Sequence, residues 1–134
     1  AASDVYKRQA LNLGHTVGHA FESMALAENR PVLHGYAVAW GIVCELYLSH
    51  TKVGFPKEKM RQTIRFIKDN YGVFTFDCKK YDQLYAFMTH DKKNTSGTIN
   101  FTLLKDIGDI CINQTADKDI IFEMLDFYRE CMGI

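Results

Sequence analysis

The sequence predicts a mainly α-helical domain with one small β-hairpin. Three observations predict it. Apolar residues recur at helical spacing in five successive segments. Gly, Pro and polar clusters punctuate those segments. In one stretch only, from Ile99 to Ile112, apolar residues alternate with polar ones as on a half-buried strand pair. A chain of 134 residues fits a single domain, and its 47% hydrophobic and 13% aromatic content supplies a core.

The first helix is read over about Ala10 to Glu28, with Pro31 marking the break after it. A second follows from about Gly35 to Lys52. Ala37, Val38, Ala39, Trp40, Ile42, Val43, Leu46 and Leu48 leave it little polar face, as expected of a central buried helix. Gly54 and Pro56 end it, and Met60, Ile64, Ile67 and Tyr71 then mark a third, amphipathic helix. Tyr81, Leu84, Tyr85 and Met88 mark a fourth. These stripes read as core faces and are assigned no chemistry.

After the polar loop Asp91-Lys92-Lys93-Asn94-Thr95-Ser96-Gly97, the alternation of Ile99, Phe101 and Leu103, resumed at Ile110 and Ile112 beyond Asp106 and Gly108, predicts the hairpin. Ile120, Ile121, Met124, Leu125 and Tyr128 close the chain as a last amphipathic helix. There are no internal repeats and no low-complexity tract.

Composition excludes several classes. Sixteen basic residues balance 16 acidic ones, which gives no reason to expect nucleic acid or an anionic membrane as the main partner. No apolar run reaches membrane-spanning length and the N-terminus lacks a secretory core, so a cytoplasmic protein is expected. Cys44, Cys78, Cys111 and Cys131 contain no CxxC pair and read as reduced thiols, which suits that compartment. Neither a strand–GxGxxG–helix unit nor a Walker loop is present to cradle a nucleotide.

The chemistry-bearing residues are histidines. His15 and His19 lie four residues apart in Leu11-Asn12-Leu13-Gly14-His15-Thr16-Val17-Gly18-His19, and His34 follows in Leu33-His34-Gly35. On a helix that spacing puts two imidazoles on one face, and neutral imidazole is a common ligand for zinc-like ions. Gly14 and Gly18 each cost about 1 kcal/mol if they lie in a helix interior. A ligand or a close helix–helix contact would account for them. A catalytic zinc usually takes three protein ligands. Glu22 sits roughly on the His15 face but about 10.5 Å further along the axis, and Glu45, about three turns into the second helix from His34, has the same difficulty. A third ligand is therefore expected from outside this chain. Lys92 and Lys93 are the nearest candidates for a phosphate, as point charges.

Taken together, Leu11 to Glu22, then Leu33-His34-Gly35 with Ala37-Val38-Ala39-Trp40-Gly41, then Asp91-Lys92-Lys93 before a hairpin, resemble the C-terminal domain of the 3-dehydroquinate synthase family. The three motifs occur in the family's order over about residues 8 to 113. The resemblance implies a mainly α, metal-binding C-terminal domain of the sugar phosphate cyclase type over residues 8–134. Residues 1–7 would then be a segment foreign to the family, and the NAD-binding N-terminal domain would be absent.

For the complete enzyme, a lyase, the resemblance implies conversion of 3-deoxy-D-arabino-heptulosonate 7-phosphate to 3-dehydroquinate and phosphate, in the shikimate route to aromatic amino acids. It implies NAD, used and regenerated, a divalent metal, zinc or cobalt, and a homodimer. By motif position it makes His15 and His34 metal ligands, with a glutamate of the preceding segment as the third. His19 would face the substrate near its phosphate and Asn12 would hydrogen-bond substrate. Arg8 would pair with the carboxylate, and Lys92, ahead of Lys93, would meet the phosphate; His19 and Lys92 would be the catalytic pair.

Tyr36 departs from the glutamate that many members carry after the His-Gly pair and is taken as tolerated variation. The chain by itself is expected to be inactive. The alternatives are another sugar phosphate cyclase, a metal-dependent polyol dehydrogenase, or a non-catalytic helical module that uses its histidines for packing.

Overall fold

The helix that reads as apolar nearly all round becomes the centre of the domain. The computed structural model describes residues 12–90 and 98–134. In chain order these form α1 (His15–Ala27), α2 (His34–Val53), α3 (Lys57–Tyr71), a 3-10 turn (Cys78–Lys80), α4 (Tyr81–Thr89), β1 (Asn100–Asp106), β2 (Asp109–Thr115) and α5 (Lys118–Met132). α1, α3, α5 and β1 all pack on α2, which buries Ala37, Ala39, Trp40, Val43, Cys44, Leu46 and Leu48 among them. The expected class, mainly α with one hairpin, is the one observed.

The first helix begins later than its pattern indicates. Residues 12–14 form a turn, and Gly14 adopts φ 82°, a left-handed conformation that an α-helix cannot continue through. Gly14 is therefore the cap residue ahead of His15 and carries no helix-interior cost; only Gly18 does.

Both glycines serve the crossing of α1 over α2. A Cβ on Gly18 would lie 3.0 Å from the Ala37 carbonyl oxygen and the Val38 Cα. One on Gly41, from the other side, would collide with the Gly14 carbonyl oxygen and stand 2.6 Å from the Gly18 nitrogen. The helix–helix contact is thus sufficient reason for the glycine pattern.

At its other end α1 stops in a Schellman arrangement: Asn29 turns left-handed at φ 55°, its N–H reaches the Leu26 carbonyl at 3.2 Å, and the Arg30 N–H reaches that of Ala25 at 2.9 Å. Pro31 follows, and after a short extended link α2 starts at His34.

The segment 72–77, which has no helical or hairpin signal, runs extended and delivers Phe74 and Phe76 to the core. There they meet Phe21 of α1 with ring centroids 5.0 and 5.5 Å away, while Trp40 stacks on Phe74 at 5.5 Å and Tyr128 on Phe76 at 5.5 Å. The fully buried Tyr128 hydroxyl accepts from the Phe74 N–H at 3.1 Å and donates to the Phe74 carbonyl at 2.9 Å. One side chain so satisfies both backbone groups of a residue that lies outside regular structure.

The hairpin is antiparallel, with Leu103 opposite Cys111 and the turn closing at Asp106–Asp109. Its register shifts between Phe101 and Leu103, where Asn113 of β2 takes φ 56°. Ile99, Phe101 and Leu103 are buried as the alternation predicts, and Thr102 between them is buried as well. Ser49 of α2 ties the hairpin to the helices: its hydroxyl donates to the Glu45 carbonyl at 2.7 Å and accepts from the Leu104 N–H at 2.9 Å. Thr16 does the same from α1, donating to the Asn100 carbonyl at 3.0 Å.

Gly41→Ala should destabilise the fold by about 2–3 kcal/mol, at the upper end of ordinary overpacking because backbone opposes the new methyl. Urea unfolding reads this, and a wild-type midpoint would contradict the crossing. At high pH a second effect is expected. Burial, with the hydrogen bond to Asp126, pushes the Tyr81 hydroxyl from 10.0 up to about 12. The neutral phenol stabilises the fold fully below pH 10.0, and that stabilisation is lost as pH rises through about 12. Tyr81→Phe should flatten the stability profile across this window, and an unchanged slope would contradict the assignment.

Candidate functional site

Two helices bring three histidines together. α1 presents His15 and His19 one turn apart on its half-exposed face, and the glycine crossing sets the first residue of α2, His34, beside them. Ring centroids are 5.5 Å apart for His15 and His19, 5.5 Å for His15 and His34, and 5.7 Å for His19 and His34. The spacing within one helix and the break between two helices thus yield one cluster.

Two of the rings are oriented through Nδ1. That of His15 stands 3.2 Å from the Leu13 carbonyl oxygen, and that of His34 stands 3.0 Å from Oε1 of Glu22. A carbonyl or carboxylate oxygen can only accept, so Nδ1 of each ring carries the hydrogen. Anchoring one imidazole nitrogen on an oxygen while the other faces the ion is how proteins hold metal-ligating histidines. The side chains of His34 and Glu22 are 54% and 38% exposed, so the face is open to whatever approaches it.

Among the described residues, no three His, Cys, Asp or Glu side chains converge to hold a metal ion. Oriented imidazoles are a donor type that suits a zinc-like divalent ion.

Glu45 has a different role from that of a distant ligand. It is fully buried, and its carboxylate accepts from the Gly14 N–H through Oε1 at 2.9 Å and from the Val17 N–H through Oε2 at 3.0 Å. Those are the cap and third-residue amides of α1. In a capping box two side chains of one helix satisfy this pair. Gly14 has no side chain to contribute, and a single carboxylate from the neighbouring helix serves both. The negative charge also sits at the positive end of the α1 dipole.

Asn12 lies in the turn ahead of α1, where its carbonyl accepts from the His15 N–H at 2.9 Å. With Thr16, Asn100, Phe101, Thr102, Ile112 and Asn113 it lines a cleft of about 240 Å³ between that turn and the hairpin. The three histidines do not line this cleft. Arg8, Lys92, Lys93 and residues 1–7 lie outside the described residues. Tyr36 stands apart from the histidines, edge-on against Trp40 at 6.1 Å and Tyr71 at 5.1 Å, and so joins α2 to α3.

Sequence reasoning weighed Glu22 and Glu45 only as metal ligands, set both aside as too distant, and missed the pairings they make. Glu22 was legible as the i+3 neighbour of His19 on the histidine face, but its partner is reached only through the helix crossing. Glu45 is the one acidic residue in α2, and a carboxylate in an otherwise apolar helix has to be paired wherever it is buried.

The profile of the family described as 3-dehydroquinate synthase C-terminal matches residues 2–94. Among curated proteins, the 3-dehydroquinate synthase of Parabacteroides distasonis is 61% identical over 127 residues, covering 95% of this chain and 36% of its own length. That of Leptospira interrogans serogroup Icterohaemorrhagiae is 44% identical over 119 residues, covering 85% of this chain and 31% of its own length. The chain thus spans about a third of the length of these relatives.

Among solved structures, a 2-deoxy-scyllo-inosose synthase complexed with carbaglucose-6-phosphate, NAD+ and Co2+ superposes with a TM-score of 0.70. The superposition covers 95% of this chain and 36% of that one at 22% identity, a likeness of fold. As the profile covers more than half of its residues, the chain belongs to the 3-dehydroquinate synthase C-terminal family.

Proposed function

We propose that this chain supplies the metal- and substrate-binding half of a 3-dehydroquinate synthase, which converts 3-deoxy-D-arabino-heptulosonate 7-phosphate to 3-dehydroquinate and phosphate in aromatic amino acid biosynthesis. NAD is held by a part of the enzyme outside this chain, which also provides the glutamate that completes the metal site. The observation that carries the reading is the meeting of His15 and His34 across two helices, each with Nδ1 anchored on an oxygen. A divalent ion held there, zinc or cobalt, supplies Lewis-acid polarisation of a substrate hydroxyl.

The remaining roles belong to the chain's own side chains. His19, within 6 Å of both rings by centroid, stays off the metal and faces the substrate near its phosphate. Lys92 places an ammonium charge on that phosphate, Asn12 hydrogen-bonds the substrate, and Arg8 pairs with its carboxylate in the bidentate manner guanidinium favours.

Leu33, next to His34 in the chain, and Leu26, near the end of α1, are 72% and 69% exposed. Exposed apolar side chains of this kind favour coverage by a further body of protein, and the complete enzyme is read as a homodimer. A cytoplasmic setting accords with four free cysteines; no helix among the described residues is long and apolar enough to cross a membrane.

Phosphate release from the heptulosonate phosphate, with NAD and Co2+ or Zn2+ present, tests the activity. Turnover is expected from the full-length enzyme and none from this chain alone. Turnover by the chain alone would overturn the division of labour, and preference for a neutral sugar phosphate would overturn the substrate.

Metal affinity separates the histidine roles. His15→Ala and His34→Ala should each weaken Co2+ binding beyond the roughly 10- to 100-fold typical of losing an outer partner, and Glu22→Gln should fall within that span. His19→Ala should leave affinity near wild type while impairing turnover. Equal losses in all three histidine variants would contradict the assignment.

A further inference from the structure

Glu45 lies outside the ring of histidines, yet the helix start it holds, through the Gly14 and Val17 amides, is the one that carries His15. His15 is the first residue of α1, and its backbone is fixed between the Asn12 carbonyl, which its own N–H reaches at 2.9 Å, and the capped amides on either side at Gly14 and Val17. The Leu13 carbonyl that orients the His15 ring belongs to the same turn. If the turn relaxes, the ring loses both its origin and its orienting acceptor.

A left-handed cap with no side chain has little of its own to hold it. What holds this one is the Glu45 carboxylate from below and the closeness of Gly41 from the side. Glu45 is also anchored in the central helix, its own carbonyl taking the Ser49 hydroxyl at 2.7 Å. The site's first imidazole is thereby referenced to α2, the helix whose first residue is the second imidazole, His34.

We propose that Glu45 is the positioning residue of this site, setting where His15 presents Nε2 relative to His34. The proposal rests on the reading of His15 and His34 as ligands of one divalent ion. It separates Glu45 from an ordinary buried cap, whose loss would lower stability and leave the histidines' geometry unchanged.

The test compares wild type, Glu45→Gln and Glu45→Asp with Tyr128→Phe, a core variant that leaves the α1 cap untouched. The first Glu45 variant keeps the shape but turns one acceptor into a donor facing an N–H. The second keeps the charge and draws it back by about 1.5 Å, one C–C bond. Two readouts are taken on the full-length enzyme alongside urea stability: Co2+ affinity and its visible absorption, and, without metal, the tautomer of His15 from imidazole nitrogen shifts.

Each folded Glu45 variant should bind Co2+ at least about tenfold more weakly, with an altered visible band, and should show mixed His15 tautomers. Tyr128→Phe, though destabilised, should stay within about twofold of wild type in affinity and keep the wild-type band and tautomer. The proposal is overturned if affinity falls with stability alike in all variants, or if the Glu45 variants keep the wild-type band and tautomer. A wild type whose Co2+ response is indifferent to His15→Ala removes the metal reading itself and the proposal with it, a result distinct from failure of Glu45 alone.

Discussion

The architecture turns on a carboxylate buried where α1 meets α2. Taking an ionised carboxylate out of water costs several kcal/mol unless hydrogen bonds replace its hydration. Glu45 meets that cost with two backbone N–H groups that would otherwise be unpaired at the start of a helix. Each hydrogen bond to a charged group is worth about 1.5–3 kcal/mol, and leaving either donor unsatisfied would cost about 1–3 kcal/mol. The two helices therefore solve one another's problem, and neither end of the bargain works without the glycines that let their backbones approach.

The functional geometry follows from that contact. His15 and His19 share a helix face by spacing alone, but His34 joins them only because α2 begins beside the start of α1. The turn at Asn29–Arg30 and the short extended link at Pro31 return the chain to the correct end. Glu22 then reaches across the crossing to the His34 ring at 3.0 Å, which makes one helix orient the other's imidazole. The hairpin is fastened to both helices through Thr16 and Ser49, and the cleft beside Asn12 lies between the hairpin and the start of the helix that carries His15 and His19.

Much of this was legible in the chain before any coordinates. The five helices follow from apolar spacing and Gly/Pro punctuation, since burial of one face is what each helix requires, and the buried character of α2 was visible in its missing polar face. His34 at a helix start followed from the Pro31 break. The late start of α1 was not legible, because Gly14 fits a helix interior in composition and only its backbone sign tells otherwise. Phe74 and Phe76 gave no periodic signal, for two aromatics on an extended segment leave no repeat to detect. The pairings of Glu22 and Glu45 depend on a crossing between helices, and spacing along one helix cannot express them. Arg8, Lys92 and Lys93 enter through motif resemblance alone.

The central claim is that His15 and His34, and not His19, hold one divalent ion through Nε2. Cadmium-113 substitution with nitrogen-15 labelled histidine tests it most directly, since a metal–nitrogen bond produces a resolvable one-bond coupling. The account predicts couplings to Nε2 of His15 and of His34, with Nδ1 of both still carrying hydrogen, and none to His19. A coupling to His19, or bonding through Nδ1 of His15 or His34, would contradict it.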